Sequence, residues 1–308
     1  MRKTAIIMAV ALLAAVLTGC GGDKGDKNKA AQAADTTDTA AVAVADTVAS
    51  APDTAAAVQS WKSGETTVTL KDGILTVSGK GAMADYGFEW PEPPWAGLSR
   101  SVTSVVIEDG VTSIGKMAFP GYILTSVAIG NNVNVIGSGA FAYCKLTSII
   151  IPNSVTVIGA GAFSDCDGLT SITIPNSVME ISEAEFIQCT TLTAINVVAN
   201  NANYSSEDGV LFNKKKTTLI RYPSGKRGAY TIPPSVTELG KFAFRDCIGL
   251  TSLTCLNPVP PRIIVDNETF LFVPACLYVP ENSLTAYRDA ERWKYDFKCI
   301  KAIESAPE

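Results

Sequence analysis

Two adjacent stretches of the chain repeat one another, and this repetition limits the folds open to it. Residues 146–168 read LTSIIIPNSVTVIGAGAFSDCDG, and residues 169–191 read LTSITIPNSVMEISEAEFIQCTT. The apolar positions of the two copies are in register, and a unit of this length is too short to bury a core by itself. The copies must therefore stack on one another, which predicts a solenoid.

Further copies extend the array in both directions. They begin at Val102, Leu124, Leu192 and Leu250, and a detached second half of the unit begins at Tyr230. The shared pattern is L-x-x-I-x-I-P-x-x-V-x-x-I-G-x-x-A-F-x-x-C. Its first part predicts a short strand that leads into a Pro-Asn turn, because two of its isoleucines are two residues apart and share one face. The residues predicted to return to the core in the central copy are Val155, Ile158, Ala162 and Phe163.

The I-G-x-x-A-F signature recurs at residues 114–119, 136–141 and 158–163. From about Val102 to Gly249 the pattern resembles the BspA-type leucine-rich repeat proteins of bacterial surfaces. The resemblance implies a mainly β fold with short helical or irregular turns: a right-handed leucine-rich repeat solenoid of about 22–23-residue repeats with hairpin-rich caps. One copy departs from the signature and reads ISEAEF. Its Glu183 and Glu185 mark either a functional variation or a solvated loop edge.

The sequence outside the repeats resembles the flanks of the same family. Alternating residues on both sides of Asp72-Gly73 predict an N-terminal hairpin. Residues 204–223, which contain Asp208-Gly209 and a Lys214-Lys215-Lys216 turn, resemble the hairpin insertion that the family carries between repeats. The predicted divisions are a signal peptide (1–19), a lipidated cysteine and tether (20–60), an N-terminal cap (61–101), repeats (102–198), a hairpin insertion (199–229), a further repeat (230–256) and a C-terminal cap (257–308).

The N-terminus has the features of an export signal. Arg2 and Lys3 precede an apolar run that ends in Leu17-Thr18-Gly19-Cys20. The run is too short for a good spanning helix. It resembles bacterial lipoprotein signals, which implies cleavage after Gly19 and acylation of Cys20, whereas an ordinary signal peptide is the alternative. Because residue 21 is Gly rather than Asp, the expected location is the outer membrane or cell surface, with the lipid as the only membrane contact.

The tether is rich in Ala, Thr and Asp and has no periodic apolar face, so it is predicted to stay unfolded. Asp-Thr recurs in it four times, at Asp35, Asp38, Asp46 and Asp53. These triplets resemble the short acidic O-glycosylation motif of some Gram-negative groups. The composition of the tract alone also produces such triplets.

The composition of the chain disfavours several classes of function. The net charge of −5 gives no electrostatic footprint for nucleic acid, and the chain contains no histidine, the commonest general base and metal ligand. No cofactor or metal is therefore expected, and the chain is predicted to be a monomer and not an enzyme. A hydrolase that uses Glu183 and Glu185 is the remaining catalytic alternative, but their spacing gives no reason to expect a productive pair.

The cysteines fall into two groups. Four occupy the same position of the repeat, and close sequence pairs typical of zinc sites are missing, so a ladder of buried thiols is expected. In the C-terminal segment a bridge is compatible with either Cys276–Cys299 or Cys255–Cys276 in an exported protein. The ladder residues are Cys144, Cys166, Cys189 and Cys247.

Two regions are candidate binding sites. The outward positions of the strand segment carry small uncharged side chains, which suit either contact with a macromolecule or a plain solvent face. They include Ser148, Ile150, Ser171 and Thr173. The second region is an aromatic loop that either stacks on sugar rings or seals the end of the core. Its residues are Tyr86, Phe88, Trp90 and Trp95.

Together these features predict a non-catalytic surface protein for binding or adhesion. The expected partner is an extracellular or cell-surface protein, as the resemblance implies. A polysaccharide bound by the aromatic loop, from Tyr86 to Trp95, is the alternative.

Overall fold

A computed structural model of the chain describes residues 58–87, 91–182, 184, 186–264, 268–297 and 299–303. It confirms the predicted fold: a mainly β solenoid of about eight turns with a spacing of roughly 23 residues. The signal peptide, Cys20 and most of the tether lie outside the described residues. In the part of the chain that the structure describes, no helix has the length and apolar character needed to cross a membrane.

The described strands are short. In chain order they are β1 (Gln59–Ser63), β2 (Thr66–Lys71), β3 (Ile74–Gly79), β4 (Gly81–Ala82), β5 (Ser104–Ile107), β6 (Val111–Ile114), β7 (Ser126–Ala128), β8 (Val135–Ile136), β9 (Val157–Ile158), β10 (Ser171–Ile174), β11 (Glu180–Ile181), β12 (Ala194–Val197), β13 (Tyr204–Glu207), β14 (Val210–Asn213), β15 (Thr218–Arg221), β16 (Gly228–Ile232), β17 (Glu238–Leu239), β18 (Leu250–Cys255), β19 (Arg262–Ile263), β20 (Cys276–Val279) and β21 (Ile300–Ala302). Two helices, α1 (Leu284–Asp289) and α2 (Glu291–Asp296), lie between β20 and β21.

Most full repeats contribute to two parallel ladders. The first ladder runs through the L-x-x-I-x-I segments, in the orders β3-β5-β7, β10-β12 and β16-β18-β20-β21. The second ladder runs through the V-x-x-I segments, in the orders β4-β6-β8-β9-β11 and β15-β17-β19. In β10 the alternation is regular, with Ile172 and Ile174 buried and Ser171 and Thr173 exposed. This period of two places one face of the segment in the core.

The central copy, residues 146–168, contributes a strand to the second ladder only. Its Ile149 and Ile151 are buried as predicted, but residues 148–151 do not form a regular strand. Val157 and Ile158 pair in register with Val135 and Ile136. The sequence predicted one strand per repeat, so the second ladder is an addition to that prediction.

A column of aromatic rings forms the centre of the core. Phe141 and Phe163 stack with their centroids 6.0 Å apart and their planes 9° apart, and Phe163 and Phe186 stack at 6.3 Å and 4°. After the insertion the column resumes with Tyr222, Phe244 and Phe270, spaced by 5.4 and 5.5 Å. Offset stacking of this kind adds to the free energy gained from burial alone.

The column is closed at both ends by larger rings. Trp95 lies 6.0 Å from Phe119 at the first end, and Trp293 lies 5.0 Å from Phe270 at the last. Both tryptophans are buried, and they cover the rings that an uncapped solenoid would expose.

A ladder of buried thiols runs beside the rings, as predicted. Each of three thiols donates to the carbonyl oxygen of the preceding turn's phenylalanine, at 3.0 to 3.2 Å. Burial raises the pKa of Cys144, Cys189 and Cys247 to about 12, so these thiols are protonated at neutral pH. Since the thiolate is the nucleophile and the metal ligand, the ladder is structural.

Of the two bridges considered, the structure contains Cys276–Cys299. It joins β20 to the residue that precedes β21, so the last strand is tied to the array. Cys255 is a free buried thiol, and the Tyr287 hydroxyl donates to its sulfur at 3.0 Å.

The structure contains the predicted N-terminal hairpin and also antiparallel hairpins in the insertion between the repeats. β2 and β3 pair with Leu70 opposite Leu75, and β13 and β14 pair with Glu207 opposite Val210. The two turn dipeptides, Asp72-Gly73 and Asp208-Gly209, have positive φ angles at both residues, as the tightest hairpin turns require. The first described strand, β1, begins at Gln59, two residues before the predicted start of the cap.

The insertion divides the apolar core into two clusters. β14 contributes to both, with Leu211 in the first cluster and Val210 and Phe212 in the second. Arg221 also joins them: its guanidinium donates to the carbonyl oxygens of Phe186, at 3.1 Å, of Arg245, at 3.2 Å, and of Phe242. The side chain is buried, so these bonds form away from water.

Candidate binding surface

The outward positions of the first ladder carry mostly short side chains. Ser171 and Thr173 are exposed and pair in register with Ala194 and Asn196. Ser148 and Ile150 lie at the matching positions of the preceding copy, and the Ile150 side chain is 75% exposed. Earlier in the array the equivalent positions are less exposed. Ser104 is buried, and its hydroxyl lies 3.0 Å from that of Ser126.

The aromatic loop contributes to the N-terminal cap. Tyr86 and Trp95 are buried and pack edge to face at 5.3 Å. The Trp95 indole donates to the carbonyl oxygen of Ala118 at 2.9 Å, and the Tyr86 hydroxyl donates to Ser63 at the same distance. Neither ring is accessible for stacking on a sugar, so these two residues seal the core. Phe88 and Trp90 lie outside the described residues.

Glu183 and Glu185 also lie outside the described residues, whereas Ser182, directly before them, is described. Ser182 stands where the preceding turn has Gly159, at which a Cβ would lie only 2.6 Å from the Ser138 backbone nitrogen. The Ser182 amide donates to the Ile158 carbonyl at 3.0 Å, and one turn earlier the Gly159 amide donates to the Ile136 carbonyl at 2.9 Å. Serine in place of glycine at residue 182 therefore leaves this backbone hydrogen bond intact.

A row of outward side chains runs along the loops beside the thiol ladder; we call it the loop row. Asp165, Gln188 and Asp246 each directly precede a ladder cysteine and have φ angles of 57°, 58° and 62°. Phe272 holds the equivalent place one turn later with φ of 63°, although Val273 replaces the cysteine. Non-glycine residues rarely adopt this conformation. Its recurrence shows that the turn itself requires it.

The loop row encloses a depression of about 300 Å³, here called the acidic depression. Its carboxylates belong to Asp165, Asp167 and Asp246, and its neutral polar groups to Gln188 and Thr190. Ile248 and Phe272 complete the lining. The last two are apolar yet 62% and 63% exposed. The sequence analysis missed this site, although the residues before the cysteines could have been compared across the copies.

The insertion between the repeats accounts for the acidic depression in the loop row. In the ordinary turn Phe163 follows the ladder residue Ile158 by five positions, but Tyr222 follows Leu219 by only three. The shortened turn places Ser224 where its neighbours have Gln188 and Asp246. Ser224 is buried and donates to the Cys189 carbonyl oxygen at 2.9 Å. The small, buried Ser224 side chain thus stands between the turns that carry the longer Gln188 and Asp246 side chains.

One carboxylate of the depression is nearly buried. The Asp246 side chain is 10% exposed, and its Oδ2 has no hydrogen-bond partner among the described residues. Arg245 Nε lies 3.5 Å from this oxygen, without the geometry of a hydrogen bond. The same guanidinium is also paired with Glu268 and lies 5.3 Å from the centroid of the Phe242 ring. Arg245 therefore compensates the charge of Asp246 only in part.

The other two carboxylates add to the negative potential. Burial raises the pKa of Asp165, and the charges of Asp167 and Asp246 raise it further, whereas a hydrogen bond from Ser164 and the charge of Arg245 lower it. Asp167 is paired with Lys145 at 3.6 Å, but both side chains are about half exposed, so the pair contributes little. An external cation would offset the mutual repulsion of these carboxylates.

Comparison with known proteins assigns the fold to a family. The family described as "BspA type Leucine rich repeat region" matches residues 97–214 and 226–263, in six copies. The chain belongs to this family. A search of curated proteins found no match.

Several bacterial proteins of known structure are also similar to this chain. A leucine-rich repeat protein from Eubacterium ventriosum is 28% identical over 80% of this chain and 68% of its own, with a TM-score of 0.62. The pneumococcal vaccine antigen PcpA is 19% identical over 80% of this chain and 99% of its own, with a TM-score of 0.43. A leucine-rich cell surface protein from Faecalibacterium prausnitzii is 20% identical over 80% and 95%, with a TM-score of 0.36.

The match to the BspA-type repeat is interrupted between residues 214 and 226. That gap contains Arg221, Tyr222 and Ser224, the residues of the shortened turn. The acidic depression therefore lies where this chain interrupts the repeat pattern of its family.

Proposed function

We propose that this protein is a non-catalytic binding protein, held at the bacterial surface by a lipid on Cys20, whose solenoid binds an extracellular or cell-surface protein. The observation that carries the proposal is the row of short, exposed outward side chains along the first ladder and the adjoining central copy. Its short side chains, such as Ser171 and Thr173, leave broad room for a macromolecule, and the exposed Ile150 offers an apolar contact. A rigid stacked array holds the backbone of these groups in place before binding, which lowers the ordering cost of binding.

The sequence and the site chemistry support a role without catalysis. The chain has no histidine. Its ladder thiols are held in the protonated form, and the outward face presents no nucleophile beside an activating base. The lipobox at residues 17–20 and the long polar tether that follows are the arrangement expected of a protein displayed away from a membrane.

The lipid-free mature chain, made with Cys20→Ala, tests the proposal directly. We expect saturable retention on at least one protein of an immobilised panel of extracellular proteins, with no retention on insoluble polysaccharides. Ile150→Glu places a charge on the proposed face and is expected to weaken binding at least about tenfold, since apolar anchors dominate such interfaces. Val259→Glu, at a side chain that is 72% exposed in the C-terminal part of the chain, is the matched control.

Retention on polysaccharide alone would contradict the protein-binding proposal and favour the alternative partner. Turnover of any substrate by the same preparation would contradict the non-catalytic role.

A further inference from the structure

The acidic depression has the properties of a receptor for one cationic side chain. Its volume of about 300 Å³ is at the lower limit of ligand-binding sites, which suits a single side chain better than an extended ligand. Its lining combines three carboxylates with an exposed aromatic ring. Among them, the Asp246 side chain is 10% exposed, and its buried Oδ2 lies 3.5 Å from Arg245 Nε without a hydrogen bond to any described residue.

A metal ion is the less suitable occupant. Within the described ranges, no three His, Cys, Asp or Glu side chains converge closely enough to hold one. The carboxylates of Asp165 and Asp246 come from turns on opposite sides of the shortened turn, so they are suited to a cation that extends between them. A planar guanidinium meets that requirement, because it offers five donors in a fixed fork.

The aromatic rim favours arginine over lysine. Phe272 projects from the loop row with its side chain 63% exposed. A guanidinium can lie flat on such a ring while its edge donates to carboxylates, whereas a lysine ammonium is more strongly hydrated and forms no bidentate pair. Ile248, 62% exposed, offers apolar contact to the methylene groups of the same side chain.

We propose that the acidic depression receives an arginine side chain of the bound protein, paired with the carboxylates of Asp165 and Asp246 and stacked on the ring of Phe272. This inference rests on the proposed binding function and names the chemistry of its partner: a protein with an accessible arginine. Asp167, already paired with Lys145, contributes to the field without a direct contact.

The test uses the lipid-free mature chain and three short peptides, acetyl-Gly-X-Gly-amide, in which X is arginine, lysine or citrulline. Citrulline has nearly the shape of arginine without its charge. We expect the arginine peptide to bind with a dissociation constant on the order of 1 mM, lysine more weakly and citrulline not measurably. Titration followed by NMR of the peptide measures all three.

The variants separate a local site from the net charge of the protein. Asp165→Asn combined with Asp246→Asn should weaken binding of the arginine peptide at least about tenfold, because both substitutions keep the side-chain shape and remove its charge. The matched control removes two exposed acids from the C-terminal helices, Asp289→Asn and Glu291→Gln, and should change binding less than about twofold. Phe272→Leu should weaken the arginine peptide and leave the lysine peptide nearly unchanged.

Thermal unfolding of each variant establishes that it is folded. If the double variant is not, Asp165→Asn alone and Phe272→Leu provide the same comparison. Equal binding of arginine and citrulline, equal losses in the double variant and its control, or no loss in either would overturn the inference. If that happens while the chain is still retained on an extracellular protein, the proposed function stands and only the arginine site fails.

Discussion

Replacing Phe163 with Ala is expected to lower the free energy of unfolding by about 4 kcal/mol. Phe163 is fully buried in the middle of the aromatic column, with near-parallel rings 6.0 Å before it and 6.3 Å after it. The substitution removes the burial of one ring, leaves a cavity between two turns and breaks two stacking contacts. Urea unfolding followed by circular dichroism measures the change.

Tyr143→Ala is the matched control. It also removes an aromatic ring from the array, but the Tyr143 side chain is 57% exposed, so a change within about 0.5 kcal/mol is expected. Phe163→Leu should fall between the two, because it keeps most of the buried volume and loses the stacking. A Phe163→Ala variant as stable as Tyr143→Ala would show that the column does not support the fold.

Arg221→Met is expected to lower the free energy of unfolding by about 3 kcal/mol. The guanidinium of Arg221 donates to three carbonyl oxygens, and the Phe186 carbonyl belongs to the first half of the array while Phe242 and Arg245 belong to the second. Methionine keeps much of the apolar volume but satisfies none of these acceptors, which remain buried without their donors. Urea unfolding again measures the loss.

The shape of the unfolding curve gives a second measure for Arg221. In a solenoid each turn contacts only its neighbours, so weakening one junction uncouples the blocks on either side. We expect the Arg221→Met variant to unfold in two steps and the natural chain to unfold in one. Arg100→Met, at an exposed position of the N-terminal cap, is the control and should change neither stability nor curve shape. A single unaltered transition in Arg221→Met would contradict this account of the junction.

The sequence was sufficient to predict the solenoid scaffold because the scaffold is periodic. Each apolar column of the repeat, such as the phenylalanines and the cysteines, is repeated often enough for chance to be excluded, and stacking is the only way to bury them together. The Asp72-Gly73 dipeptide predicted the N-terminal hairpin, since few residue pairs accept the backbone angles of that turn.

The candidate site was less predictable because it depends on the loss of periodicity. The acidic depression forms where Tyr222 follows its ladder residue, Leu219, two positions earlier than in the other turns. The sequence around Asp165 and Asp246 does not indicate that the two residues line one depression. The aromatic loop shows the opposite difficulty. A run rich in Trp, Phe and Tyr suits both a sugar platform and a core lid, and only the packing of Tyr86 and Trp95 distinguishes the two.

Adhesion of intact cells tests the central claim, that a solenoid held at the cell exterior by lipid acts as a binding surface. Cells that make the natural chain or its Cys20→Ala variant would be applied to a surface coated with the extracellular protein that best retains the purified chain. We predict that the natural cells adhere, that the variant cells do not, and that the lipid-free chain added in solution blocks adhesion. Equal adhesion by both cell types would contradict the account.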